Sequence, residues 1–76
     1  MTQVVEIFQF GAKRYGDESW KTVGNARNRY FSAAMRHLTA WYEGESHCKD
    51  SGKHHLAHCA WNILVLLWLD DHGFPD

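Results

Sequence analysis

Histidine is concentrated in one short stretch of this chain. His54-His55-Leu56-Ala57-His58-Cys59-Ala60-Trp61-Asn62 runs directly into the apolar segment Ile63-Leu64-Val65-Leu66-Leu67-Trp68-Leu69. On a helix, residues three, four and seven apart share a face. His55, His58 and Asn62 then form one polar stripe, which His54 widens toward solvent. Leu56, Cys59, Ala60, Ile63 and Leu67 form an apolar face beside it. A helix that ends apolar on every side is buried at that end, so it carries its imidazoles down toward the core. Imidazoles at that depth either ligate a metal or hydrogen-bond one another, water or nearby acids.

A metal site would draw on His55 and His58 at i, i+3, on His37 from the preceding helical stretch, and on Glu45 and Asp50 from the loop between. Antiparallel helices joined by a short loop bring these ends together and offer nitrogen and oxygen ligands to a divalent ion. HHxxH lacks the glutamate of HExxH, which excludes the zincin mechanism. Cys48 with His47 or His54 offers a thiol and a base, on a loop where nothing in the sequence fixes their geometry. Lys13, Arg14, Arg29 and Arg36 could meet phosphates while Trp20, Tyr15 or Tyr30 stacks on a base. No P-loop or glycine-rich cradle accompanies them. Each group also has a plain structural use. The cations suit a helix C-terminus or pair with Glu6, Glu18 and Glu43, and Trp20 can plug the open end of a bundle.

The elements that must position these residues are helical. Thr2 caps a first helix over Thr2–Tyr15, with Val4, Ile7, Phe8, Gly11 and Tyr15 at helical spacing and Gly16 to end it. Asn25 caps a second over Ala26–Tyr42, with Tyr30, Phe31, Ala34, Met35, Leu38 and Trp41 as its buried face and Gly44 as its stop. After the polar loop Glu45–Gly52, Asp50 or Ser51 caps a third over Ser51–Asp71. The expected architecture is all-α: a single domain over 1–76, a small helical bundle with two long antiparallel helices plus a shorter N-terminal helix.

Composition narrows the function classes. Seventy-six residues allow one small core, and 45% hydrophobic residues supply ample material for it. The net charge of -1 with neutral histidines gives no strong signal for nucleic acid or an anionic membrane. With only Cys48 and Cys59 and no signal-peptide pattern, a reduced, cytoplasmic setting is expected. The run Ile63–Leu69 is far short of the roughly 20 residues needed to span a bilayer. An all-round apolar helix on so short a chain predicts a homodimer buried through Ile63, Leu66, Trp68 and Leu69.

Taken together, Phe10-Gly11-Ala12-Lys13-Arg14-Tyr15-Gly16-Asp17, Trp20, Arg29-Tyr30-Phe31, Arg36-His37-Leu38, Ala40-Trp41, Gly44-Glu45, Ser51-Gly52 and His55 to Asn62 resemble one known family. It is the small phage-associated domain labelled dATP/dGTP diphosphohydrolase, N-terminal. The resemblance covers about Val5 to Leu69 and is closest in the histidine-rich helix. It implies a phage or prophage origin, a place in the host cytoplasm and a link to deoxynucleotide metabolism. Ser32 and Cys48 stand where the pattern has acids, and Asp50 stands where it has Glu. The ExxE…ExxD carboxylates of MazG-type pyrophosphohydrolases are absent from the sequence. Two readings follow. One is a deoxynucleotide-handling protein, by binding or by phosphohydrolysis assisted by a divalent metal. The alternative is a non-enzymatic phage accessory that binds and inhibits a host protein, such as a defence target in the manner of an anti-CRISPR.

Overall fold

The structure, a computed structural model, describes residues 3, 5, 6, 19–21 and 23–75. Its elements are a 3-10 turn, Ser19–Lys21, and two α-helices, α1 (Ala26–Tyr42) and α2 (His55–His72). Most of the expected helix over Thr2–Tyr15 lies outside the described residues. Among the described residues there is no strand, only one isolated antiparallel bridge between His47 and His54. No described helix is long and apolar enough to cross a membrane.

Helix α1 begins and ends where its punctuation residues demand. Asn25 takes a left-handed backbone at φ 55, a conformation its short polar side chain tolerates, and its carbonyl accepts the first helical bond from the Arg29 N–H at 3.0 Å. Its side-chain oxygen accepts from Asn28 instead of capping the helix. At the other end, Gly44 N–H donates to the Trp41 carbonyl and Glu45 N–H to the Ala40 carbonyl. These are the paired bonds of a Schellman stop, which needs a left-handed residue at Gly44, here at φ 109. The stop fixes where Glu45 leaves the helix.

The loop that follows is a small folded-back hairpin. Cys48 N–H donates to the Lys53 carbonyl at 2.8 Å and His55 N–H to the Ser46 carbonyl at 2.8 Å. Gly52, at φ 73, makes the turn possible. Helix α2 therefore starts at His55 and not at Ser51. Ser51 is held inside the loop, and His54 is the cap, its ring nitrogen Nδ1 accepting from the Leu56 N–H at 3.0 Å.

The two helices run antiparallel, so Tyr30 meets Trp61 while His37 meets His55 and His58. The apolar core sits at the end away from the loop. Ala26, Tyr30, Val65 and Leu69 form it, with Trp20, Val23, Trp61, Leu66, Trp68 and Phe74 packed around them. The Tyr30 hydroxyl donates to the Trp20 carbonyl at 2.9 Å and ties the 3-10 turn to α1.

Two sequence expectations are corrected here. On α1 the seam is Ala26, Tyr30, Ala34 and then His37, whereas Phe31, Met35, Leu38 and Trp41 are exposed. One partner helix covers one stripe, not a broad face. On α2 the polar stripe is itself the buried one: His55 is 5% and Asn62 4% exposed. The face expected to be buried is mostly open, with Leu56 exposed, Ile63 54% exposed and Leu67 65% exposed. Only Cys59 of that set is fully buried, and Ala60 is half-buried.

Candidate functional site

The loop end of the helix pair is a pole of histidines. His37, near the end of α1, and His55 and His58, in the first turn of α2, face one another across the seam. His37 Nδ1 lies 2.8 Å from His55 Nδ1, and the His37 and His58 rings stack with centroids 4.3 Å apart. Glu45, delivered by the Schellman stop, places Oε1 2.6 Å from His55 Nε2. Ser51, held by the hairpin, places Oγ 2.6 Å from His58 Nε2. Asn62 closes the pole from below by donating Nδ2–H to the His58 carbonyl at 2.8 Å. It satisfies its amide within its own helix.

A carboxylate only accepts, so His55 Nε2–H donates to Glu45. His37 Nδ1 and His55 Nδ1 share one hydrogen bond. The result is a hydrogen-bonded chain linking His37, His55 and Glu45. At the neighbouring ring, Lys53 N–H donates to Ser51 Oγ at 3.1 Å, and the same hydroxyl shares a hydrogen bond with His58 Nε2.

Burial disfavours the charged forms of His37 and His58. Burial takes the His37 imidazole down from its ordinary 6.5 to about 4, with the charges of His58, His55 and Arg36 adding to the effect. Burial also lowers His58, followed by the charge of His55, while Asp50 pulls the other way. The hydrogen bond from His55 holds the Glu45 carboxyl below its usual range. Burial raises the Cys59 thiol, as suits a small core residue.

The structure thus brings together His37, His55, His58 and Glu45. Asp50 is exposed on the loop and acts on His58 through its charge. Cys48, absent from the expected ligand set, belongs to the pole. His37, Cys48 and His55 have ligand atoms within 4.8 Å of one another, the only such group of three or more His, Cys, Asp or Glu among the described residues. The sequence signal for Cys48 is the Lys49-Asp50-Ser51-Gly52 turn, which folds residue 48 back beside the start of α2. Cys48, His47 and His54 do not form a nucleophile and base on mobile chain: His47 pairs across the bridge with His54, whose Nδ1 is engaged in capping.

Of the expected nucleotide-binding set, Lys13 and Arg14 lie outside the described residues. Trp20, half-buried, is packed edge-on against Trp68 at 5.2 Å, with the Lys21 ammonium over its ring. Arg29 and Arg36 are exposed on α1, seven residues apart on one face. Among the described residues, Arg36, Lys49 and Lys53 act on the pole through their charges. Lys53 is 3.3 Å from Glu6 and Lys49 is 3.8 Å from Glu45. The expected dimer residues also divide. Leu69 and Trp68 belong to the chain's own core, Leu66 packs against that core and also lines an open groove, and Ile63 lines the groove with Phe31 and Leu67.

Residues 1–75 match the family described as dATP/dGTP diphosphohydrolase, N-terminal. The chain belongs to this family. The match takes in the histidine pole, the 3-10 turn and the apolar core alike. Among curated proteins, a dATP/dGTP diphosphohydrolase of Salmonella phage PMBT28 is 28% identical over 67 residues, covering 88% of this chain and 22% of the relative. The chain therefore spans about a fifth of that relative's length. No solved structure matches it.

Proposed function

We propose that this chain is a phage-type helical domain that handles deoxynucleotides in the host cytoplasm, binding a purine deoxynucleoside triphosphate at the histidine pole. The observation that carries the reading is the family membership over residues 1–75, together with a curated phage relative named for dATP and dGTP. The pole suits the task. Arg36, Lys49 and Lys53 lie beside it and offer positive charge to phosphate oxygens. A magnesium-assisted hydrolase wants a group of carboxylates, and the described residues assemble none. In this reading the domain binds, and the curated relative carries further chain beyond the matched part. The test is a thermal-shift titration with dATP, dGTP, their ribose counterparts and dCTP, with and without magnesium, while diphosphate release is monitored. A ligand at ten times its Kd stabilises by about 1.4 kcal/mol, or roughly 5–10 °C in a domain of this size. Purine deoxynucleotides should give that shift without diphosphate release. No shift with any nucleotide defeats the proposal.

A second reading rests on a different surface. Phe31, Ile63 and Leu67 are exposed around the groove, and Arg27 and Asp70 stand at its rim. A two-fold axis would set each of these opposite charges against the other in a second copy, so a homodimer is the proposed occupant. A host protein taken by an inhibitory phage accessory is the alternative occupant, and it would leave the isolated chain monomeric.

A further inference from the structure

We propose that His37, Cys48 and His55 form a three-ligand site for a borderline-soft divalent cation, zinc foremost, with Glu45 orienting His55 and a fourth position open. The inference goes beyond the deoxynucleotide reading and does not depend on it.

The donor set selects the metal class. Two imidazoles and a thiolate suit zinc and its transition-metal neighbours, whereas magnesium and calcium take oxygen ligands. Glu45 completes the arrangement common at such sites. A metal-bound histidine gives its second ring N–H to a carboxylate, which fixes its orientation and raises its basicity. Here the bond from His55 Nε2–H to Glu45 Oε1, at 2.6 Å, leaves His55 Nδ1 facing His37.

The framework that holds the ligands is already folded. The bond from Cys48 N–H to the Lys53 carbonyl and the bond from His55 N–H to the Ser46 carbonyl lock the cysteine arm against the start of α2. His37 comes from the rigid body of α1. His55 is buried, and His37 and Cys48 are half-buried, so an ion can enter from the loop side.

The dimensions are close to those of a bound site. With metal–nitrogen distances of about 2.0–2.1 Å, a tetrahedral pair of nitrogens lies about 3.3 Å apart, and a nitrogen–sulfur pair slightly further. The two imidazole nitrogens stand 2.8 Å apart, and no pair of ligand atoms is separated by more than 4.8 Å. Rotations of the half-buried side chains accommodate the difference. On binding, the Cys48 thiol gives its proton to water, and the proton between the His37 and His55 Nδ1 atoms moves to His37 Nε2 or to solvent, which frees both Nδ1 atoms as ligands. His58, with Nε2 on Ser51, stacks on His37 and limits its rotation. The fourth position is left to water or an incoming anion.

Untagged, chelator-treated protein should bind one equivalent of zinc by calorimetry, and its melting temperature should rise with zinc but not with millimolar magnesium. Cobalt loading should give a thiolate-to-cobalt charge-transfer band in the near ultraviolet. Cys48→Ser should abolish that band. Cys48→Asp should restore metal binding without it. Glu45→Gln should weaken zinc binding by about 10–100-fold while leaving the band in place. Circular dichroism of each variant separates lost binding from lost fold. The proposal is overturned if the wild-type chain takes up no zinc at micromolar concentration, or if the cobalt complex lacks the charge-transfer band. Equal zinc affinity in well-folded Cys48→Ser and wild type would overturn it as well.

Discussion

In the metal-free protein, acid should act first on the histidine pole. His37 is held at about 4 and His58 is also lowered, both mainly by burial. Below the ordinary imidazole value of 6.5, the unfolded chain therefore binds more protons than the folded one. The stability these groups contribute is fully present above pH 6.5 and is lost as the pH falls toward about 4. Glu45, lowered by its bond to His55, has the same sign but acts below its own ordinary value, so it extends the loss at the acid end. For His37, the displacement from 6.5 to about 4 corresponds to at most ~3 kcal/mol. His37 keeps partial contact with water, and screening leaves about 1–2 kcal/mol of this. In a chain of this size that is roughly 5–15 °C of melting temperature. Melts in excess chelator between about pH 7.5 and about pH 4.5 should show that loss, and His37→Gln should flatten the profile. Proton NMR gives the sharper reading, because the His37 ring protons should keep neutral-form shifts well below pH 6.5. A His37 titration centred on 6.5, or a melting temperature unchanged across the range, refutes the reasoning.

Three further outcomes follow from the packing. Leu69 is 1% exposed at the centre of the core, so Leu69→Ala should cost about 3–4 kcal/mol by chemical denaturation; a loss below ~1 kcal/mol would place the core elsewhere. Tyr30→Phe keeps the ring against Trp61 but removes the hydrogen bond to the Trp20 carbonyl, and should cost about 1 kcal/mol in the same assay. Leu67→Glu alters a side chain that is 65% exposed in the single chain. It should convert a dimer to monomer in sedimentation velocity while leaving the melting temperature of the monomer nearly unchanged. A wild-type chain that sediments as a monomer at tens of micromolar removes the two-fold dimer.

The limits of α1 were legible because they are written in local chemistry. Asn25 and Gly44 are residues that accept left-handed backbone, and both lie where the helix starts and stops. The start of α2 was not legible in the same way. Asp50 and Ser51 are good caps by type, but the hairpin bonds of Cys48 and Ser46 engage that stretch before a helix can begin. His54, an uncommon cap, takes the role because its ring nitrogen reaches the Leu56 N–H. The side of α2 that faces α1 was hidden for another reason. Its apolar residues run nearly all round, so periodicity gives little direction, and the rule that apolar residues point inward selects the wrong face.

What reverses the rule is polar satisfaction across the loop. An unpaired buried imidazole or amide costs roughly 1–3 kcal/mol, which would ordinarily expel His55 and Asn62 from a seam. Asn62 avoids that cost alone, by bonding the His58 carbonyl one turn back. His55 avoids it only with two partners, His37 from α1 and Glu45 from the residue after the Schellman glycine. Its burial thus depends on where α1 ends, a property of residues Ala40 to Glu45 and not of α2 itself. The seam consequently changes character along its length. From Ala26 and Leu69 to Tyr30 and Trp61 it is apolar and supplies the stability. From Asn62 to Glu45 it is polar and fixes the register of the two helices through a chain of hydrogen bonds. A chain selected only for a stable helix pair would gain by filling that second half with leucine, since well-packed apolar substitutes for buried polar groups are often neutral or stabilising. Three imidazoles, a carboxylate and a thiol gathered at one end of so small a core are the grounds on which a site is proposed there.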